Sequence, residues 1–191
     1  MKMTEKLLGQ LAETLSPKRL AHSRGVSETA ATLAARYGAD IGKARLAGLL
    51  HDCARGMPSN ILLQVAGASG IVVNDVEQRE PMLLHAPVGA VIARRDYGVD
   101  DPEVLAAIRW HTTGGPAMAL LDEIIFLADY IEPTRSFPGV DRLRALAGEN
   151  LPAALLAAYD QTMHHLLAER WLIHPATVEG RNALLVKMKP K

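Results

Sequence analysis

The sequence predicts an all-α, single-domain helical bundle, and three observations carry that expectation. Aromatic residues are only 4% of the 191-residue chain while Ala and Leu abound, a balance that favours helix over sheet. Helix start and stop signals recur along the whole length. The gaps between them are short except over 67–84 and 132–138. The length suits one domain with a sizeable core, spanning 1–191.

Taken in order, the periodic segments place helices at about 3–14, 17–37, 41–53, 58–66, 85–97, 101–111, 117–131, 139–147 and 151–169. Ser16-Pro17 puts a capping hydroxyl before a proline at the first helical position. Asp40 caps the segment holding Leu46, Leu49 and Leu50, and Pro58, Pro102 and Pro152 stand near three further starts. Tyr37-Gly38 and Tyr97-Gly98 read as helix ends with a left-handed glycine cap. Gly67 to Gly70 reads as loop. In the tail, a short extended piece is expected around Ala183–Val186, without a sheet.

Composition excludes several function classes. Lys plus Arg and Asp plus Glu are 21 each, and a neutral chain argues against nucleic-acid binding, which usually needs a basic surface. The single cysteine, Cys53, excludes an internal disulfide and suits a reducing compartment. The N-terminus lacks the apolar heart of a signal peptide, and no run reaches the roughly 18 apolar residues of a membrane span. A cytoplasmic protein without membrane contact is expected, and the Ala/Leu-rich helices are compatible with a homodimer.

The chemistry-bearing pattern starts at His51-Asp52, which ends the apolar stretch LAGLLHD. Adjacent residues on a helix point about 100° apart, so both reach one cluster only near a helix end or between helices. Cys53-Ala54-Arg55-Gly56 marks such an end. His22 near one helix start, His85 at another, His111 at the end of a third and Asp129 late in a fourth complete a set of six. Imidazole and carboxylate bind divalent ions, and two ions about 3.5–4 Å apart activate a bridging water and clamp phosphate. Taken singly, each histidine reads as well as a cap; as an ordered set they read as a metal centre. The donor set suits iron, manganese, cobalt or zinc. His164 and His165 follow a core helix without a carboxylate in pattern and read as surface or packing residues.

The order H…HD…H…H…D resembles the HD superfamily of metal-dependent phosphohydrolases. The segments AGLLHDCAR, LLHAPVGAVIA, IRWHTTG, IIFLADYIEPTRSFPGVDRLR and LIHPATVEGRN resemble its YqeK type, which contains symmetrical bis(5'-nucleosyl)-tetraphosphatases, over about residues 18–182. The resemblance implies an HD-type bundle and iron-dependent cleavage of diadenosine tetraphosphate, a dinucleoside polyphosphate, into two ADP. By position it implies that His22, His51, Asp52 and Asp129 hold a first ion. Asp52, His85 and His111 hold a second, the two histidines contacting phosphate if that ion is absent. His51, Asp52 and Asp129 are then the catalytic set. It implies nucleotide contacts at His22, His85, His111, Thr112, Asp129 and Arg135, and along Leu172, Ile173, His174, Pro175, Ala176 and Thr177. Many HD proteins carry Lys three residues after the Asp; here Arg55 keeps the charge on a longer, planar fork, which suits phosphate binding better than proton donation. Two other readings stay open: a phosphohydrolase acting on another nucleotide, and a nucleotide-binding regulator with slow turnover.

Several residues carry two readings. Arg135 suits a phosphate clamp in the loop EPTRSFPG, or a surface charge; with the resemblance the clamp is favoured. Thr112-Thr113-Gly114 offers hydroxyls to phosphate, or a helix cap. Glu132 shares a face with Asp129 and orients a ligand histidine, or is a surface charge. Arg24 points away from His22 and is assigned to a salt bridge. Trp110 is assigned to the core rather than to a base, Cys53 to a buried apolar role. Read from the residues alone, His174-Pro175 is a turn.

Overall fold

The computed structural model describes residues 2–189; the outermost positions of the expected domain, 1 and 190–191, lie outside it. Among the described residues there are eleven α-helices, one 3-10 helix and no strand. In order they are α1 (Lys2–Thr14), α2 (Pro17–Tyr37), α3 (Ile41–Leu50), α4 (Ser59–Ala68), α5 (Asp75–Arg79), the 3-10 helix Pro81–Leu84, α6 (His85–Tyr97), α7 (Pro102–Trp110), α8 (Leu120–Ile131), α9 (Val140–Glu149), α10 (Leu151–Ala168) and α11 (Pro175–Met188). None is long and apolar enough to cross a membrane.

The expected caps are made. Ser16 Oγ accepts from Arg19 N–H at 3.4 Å and Asp40 Oδ1 from Lys43 N–H at 2.9 Å. Gly38 and Gly98 end α2 and α6 at φ 79° and 67°, the left-handed region that glycine enters without steric cost. Helix α8 is the hub. It packs on α2, α3, α7, α9 and α10, and Ile124, Ile125 and Leu127 are fully buried along it. Each such side chain contributes about 1.5–3 kcal/mol relative to exposure. Phe126 stacks on the buried Tyr159 of α10, ring centroids 4.7 Å apart.

Two close approaches bring the site's helices together. A Cβ on Gly48 of α3 would lie 2.8 Å from the Ser27 Cα of α2, so only glycine lets these backbones touch. A Cβ on Gly25 would lie 2.5 Å from Glu132 Oε2, so glycine there makes the space that Glu132 fills.

Three expectations are corrected. Helix α3 stops at Leu50 rather than 53, because Cys53 N–H bonds Leu50 O and Arg55 N–H bonds Asp52 O, tightening the chain into successive turns. The 67–84 gap contains α5 and the 3-10 helix. Its signal is an Asn74-x-x-Glu77 capping box: Asn74 Oδ1 accepts from Val76 and Glu77 N–H, and Asn74 N–H donates to Glu77 Oε2. The tail is helix α11, with no extended piece at Ala183–Val186. Pro175 opens it, His174 Nδ1 caps it by accepting from Ala176 N–H at 3.1 Å, and Leu184 buries against the core.

Candidate metal centre

Each expected ligand sits where a helix begins or ends, except His22 and Asp129, which lie within α2 and α8. His51 is the residue that ends α3, and Asp52 follows in the turn, so the two side chains escape the 100° divergence of a continuous helix. His85 opens α6 directly after the 3-10 helix, and His111 ends α7. Helices α2, α3, α6, α7 and α8 therefore converge on one point.

The six side chains meet there through a consistent set of atoms. His22 Nε2 lies 2.9 Å from Asp129 Oδ1 and 3.2 Å from His51 Nε2. His51 Nε2 lies 3.7 Å from Asp52 Oδ2 and 3.8 Å from Asp129 Oδ1. The other carboxylate oxygen, Asp52 Oδ1, faces His85 Nε2 at 3.2 Å and His111 Nε2 at 3.6 Å. Two groups of donor atoms result, His22/His51/Asp129 and His51/Asp52/His111, each with its atoms within 4.8 Å of one another and sharing His51.

The opposite nitrogen of each ring explains this alignment. His51 Nδ1–H donates to Gly48 O at 2.8 Å, His85 Nδ1–H to Met82 O at 2.5 Å and His111 Nδ1–H to Ile108 O at 2.7 Å. In all three the acceptor is the carbonyl three residues earlier, one of the orphan carbonyls of a helix terminus. His22 lies mid-helix, where carbonyls are spent on the helix, and its Nδ1 is held instead by Glu132 Oε1 at 3.0 Å. Glu132 is fully buried and fixed by Thr134 N–H at 2.7 Å, so of its two readings the structure decides for the partner of His22. An Nδ1–H held outward leaves Nε2 as a lone pair pointing inward, the tautomer a metal requires. Four such nitrogens and two carboxylates, with no thiolate, fit one or two divalent ions.

Electrostatics set His22 apart from His51 and His85: burial lowers its pKa, but Asp129 and Glu132 outweigh burial and raise it. Burial opposes the charged form of Asp52, but the surrounding His51, His111 and His85 outweigh it and hold the carboxyl far below its usual range. Asp129 is likewise depressed: burial works against it, and His22, His51 and Arg135 overcome burial. Burial pulls His51 down to about 4 and lowers His85, keeping both neutral.

Two guanidinium groups bond the carboxylates and a third lies beside a ring. Arg135 bonds Asp129 twice, Nη2 to Oδ1 at 2.5 Å and Nε to the backbone O at 2.8 Å. Arg19 Nη1 bonds Asp52 Oδ2 at 2.9 Å; Arg55 Nη1 lies 3.0 Å from His85 Nδ1, a nitrogen whose proton goes to Met82 O, so these two are neighbours rather than hydrogen-bond partners. Arg19 is the residue the sequence reading missed; its signal is its place three before His22 on the same face of α2. Thr112 Oγ1 sits between the second pair of rings, 3.1 Å from His85 Nε2 and 3.0 Å from His111 Nε2.

Among the described residues, Leu172–Thr177 makes no hydrogen bond to the six converging side chains. It forms a rim beside them: Thr177 Oγ1–H donates to Thr113 O at 3.0 Å, and His174 Nε2 lies 2.8 Å from Asn74 Nδ2 and 3.5 Å from Glu77 Oε1. His174 is thus a helix cap clamped to α5 rather than a simple turn. Leu172 is exposed, and Ala176 and Thr177 are buried. Arg24 is exposed and has no ion pair among the described residues; two residues past His22, it lies about 200° around α2, facing solvent. Trp110 is half-buried against the core, and Cys53 is buried with its thiol pushed up to about 12 by burial. His164 and His165 are exposed.

The HD-domain profile matches residues 19–134, which hold all six converging side chains. The chain belongs to the HD-domain family. This HD domain is 40% identical to a symmetrical bis(5'-nucleosyl)-tetraphosphatase of Bacillus subtilis, over 95% of the chain and 97% of the relative. It is 43% identical to one of Halalkalibacterium halodurans, over 92% and 93%. It also superposes on the crystal structure of an HD superfamily hydrolase from Clostridium acetobutylicum, described as involved in NAD metabolism, with a TM-score of 0.94, 42% identity, and 96% and 97% coverage.

Proposed function

We propose that this HD domain hydrolyses diadenosine tetraphosphate symmetrically to two ADP, using iron in a reducing cytoplasm. The observation that carries it is the geometry of four inward-facing Nε2 atoms and two carboxylates beneath three guanidinium groups, in a chain alike over nearly its full length to enzymes of that name. His22, His51, Asp52 and Asp129 hold one ion and Asp52, His85 and His111 a second. When bound, the ions supply Lewis acidity toward phosphoryl oxygen and lower the pKa of water.

The remaining work falls to the chain. Arg19, Arg55 and Arg135 bind the polyanionic substrate; each is near a carboxylate or ligand ring, so each positions a phosphate over the centre. Arg135, half exposed on its loop, offsets the charge that builds on the phosphoryl oxygens in the transition state. Thr112 presents a hydroxyl to the same oxygens from between His85 and His111. Glu132 and the three helix-end carbonyls keep the rings in the tautomer and direction the reaction needs. The Leu172–Thr177 rim holds one nucleoside, its place fixed by Asn74, Glu77 and Thr113.

Product analysis tests the reading. Incubated anaerobically with iron, the protein is expected to convert diadenosine tetraphosphate to ADP alone. AMP plus ATP would overturn symmetric cleavage, and tight nucleotide binding without turnover would overturn catalysis. Metal analysis of anaerobically purified protein is expected to find iron; a manganese, cobalt or zinc complement instead would overturn the iron assignment.

A further inference from the structure

A substrate with two nucleosides needs two places for them, and the Leu172–Thr177 rim provides one. A second groove, about 620 Å³, lies between the end of α8, the loop before α9, and α10. None of residues 172–177 lines it. Its volume falls within the about 300–1,000 Å³ of ordinary ligand sites. Arg135 lines it and also bonds Asp129, so one residue links the groove to the centre.

The chemistry changes along this path. Close to the centre, a contiguous cleft of about 420 Å³ carries Lys18, Arg19 and Arg135, three cations suited to phosphate. Farther out, Phe137 belongs to both spaces, and the wall becomes aromatic: Tyr130 and Phe137 meet edge-to-face, ring centroids 5.2 Å apart, and His164 and His165 line the same space. Gln161 lines the same space. A purine face stacks on aromatic rings, and a glutamine Nε2–H donates to a ring nitrogen of adenine.

We propose that this groove holds the second nucleobase, an adenine stacked on Phe137 and read by Gln161. The proposal rests on the dinucleoside tetraphosphatase reading. It makes Phe137 and Gln161 specificity-determining residues, and gives His164 and His165, which the metal centre does not use, a place in the wall of a binding site.

The test compares diadenosine tetraphosphate with adenosine 5'-tetraphosphate, which has the same four phosphates and lacks the second base. ADP production from the dinucleotide by the iron-loaded wild type is measured first; failure there sinks the underlying activity, not the groove. Given that activity, Phe137→Leu and Gln161→Ala are each expected to raise KM for the dinucleotide roughly tenfold, in line with the loss of one stacking or amide contact. The preference for the dinucleotide over the mononucleoside substrate should fall by the same factor, with kcat nearly kept. Phe137→Tyr should restore that preference. Equal losses on both substrates, or an unchanged preference in both folded variants, would overturn the proposal.

Discussion

Helix α8 carries two shielded aspartates seven residues apart, Asp122 in its first turn and Asp129 in its last, and they behave oppositely. Asp122 is buried; its Oδ2 accepts only Ala119 N–H at 2.9 Å, while its Oδ1 has no partner. Burial therefore wins, pushing its carboxyl up to about 6. Asp129 meets burial too, but His22, His51 and Arg135 surround it and hold it well below the ordinary range. Burial alone marks neither residue as functional. What separates them is the company of imidazoles and a guanidinium, gathered from other helices.

The comparison can be broken at its strong end first. Asp129→Ala and Asp52→Ala are each expected to reduce turnover about 1,000-fold or more, since several kcal/mol of metal-borne charge stabilisation is lost. The helical circular dichroism should persist. Near-normal activity in either metal-replete variant would end the assignment. Glu132→Gln sharpens it: a neutral amide supports His22 less well than a carboxylate, and metal affinity should fall about 10–100-fold by calorimetric titration. Unchanged affinity would leave Glu132 with a purely structural part.

At the other end of α8 the expected effect is on stability, with its sign set by proton linkage. The folded pKa of about 6 exceeds the ordinary 3.8, so the native state binds the proton more tightly than the unfolded chain. That stabilisation is full below about 3.8 and is lost as pH rises through 6. Asp122→Asn should therefore raise Tm by about 2–4 °C at pH 8, corresponding to about 1 kcal/mol, with the gain shrinking towards pH 5. A constant gain across that range would show that the carboxyl does not titrate there. The smallest effect is expected at the rim, where Asn74→Ala removes a cap and the wall beside His174; KM should rise roughly threefold with kcat retained. A fall in kcat alone would place Asn74 in the chemistry instead.

Much of the centre was legible because it is built from local signals. Ser16, Asp40 and Pro102 announce helix starts, and His51, His85 and His111 fall at helix termini. The adjacent His51-Asp52 pair required a helix end, and the turns after Leu50 supply it. What remained hidden depends on packing across the fold. The sequence left Glu132 with two readings, and its reach to His22 across 110 residues chooses between them; Arg19 shares a face with His22, but its partner Asp52 lies 33 residues away and no local pattern names it. Helix α5 was legible in principle, since Asn74 and Glu77 have capping-box spacing, but five residues give too little hydrophobic pattern to register. Helix α11 escaped because a histidine, rather than Ser, Thr, Asp or Asn, caps it, and because Leu184, Leu185 and Val186 form an apolar run too short to distinguish strand from helix.

The three histidines that donate to the carbonyl three residues behind them have a consequence for protein engineering. Each of these rings has its direction set by a carbonyl of its own short stretch of chain. Such a helix end is a portable cassette: grafted onto another bundle, it should carry a correctly aimed nitrogen with it. His22 is not portable in this sense, because its orientation is borrowed from Glu132 on a different helix. A designer copying this centre would transplant three ligands as fragments and have to rebuild the fourth as a pair.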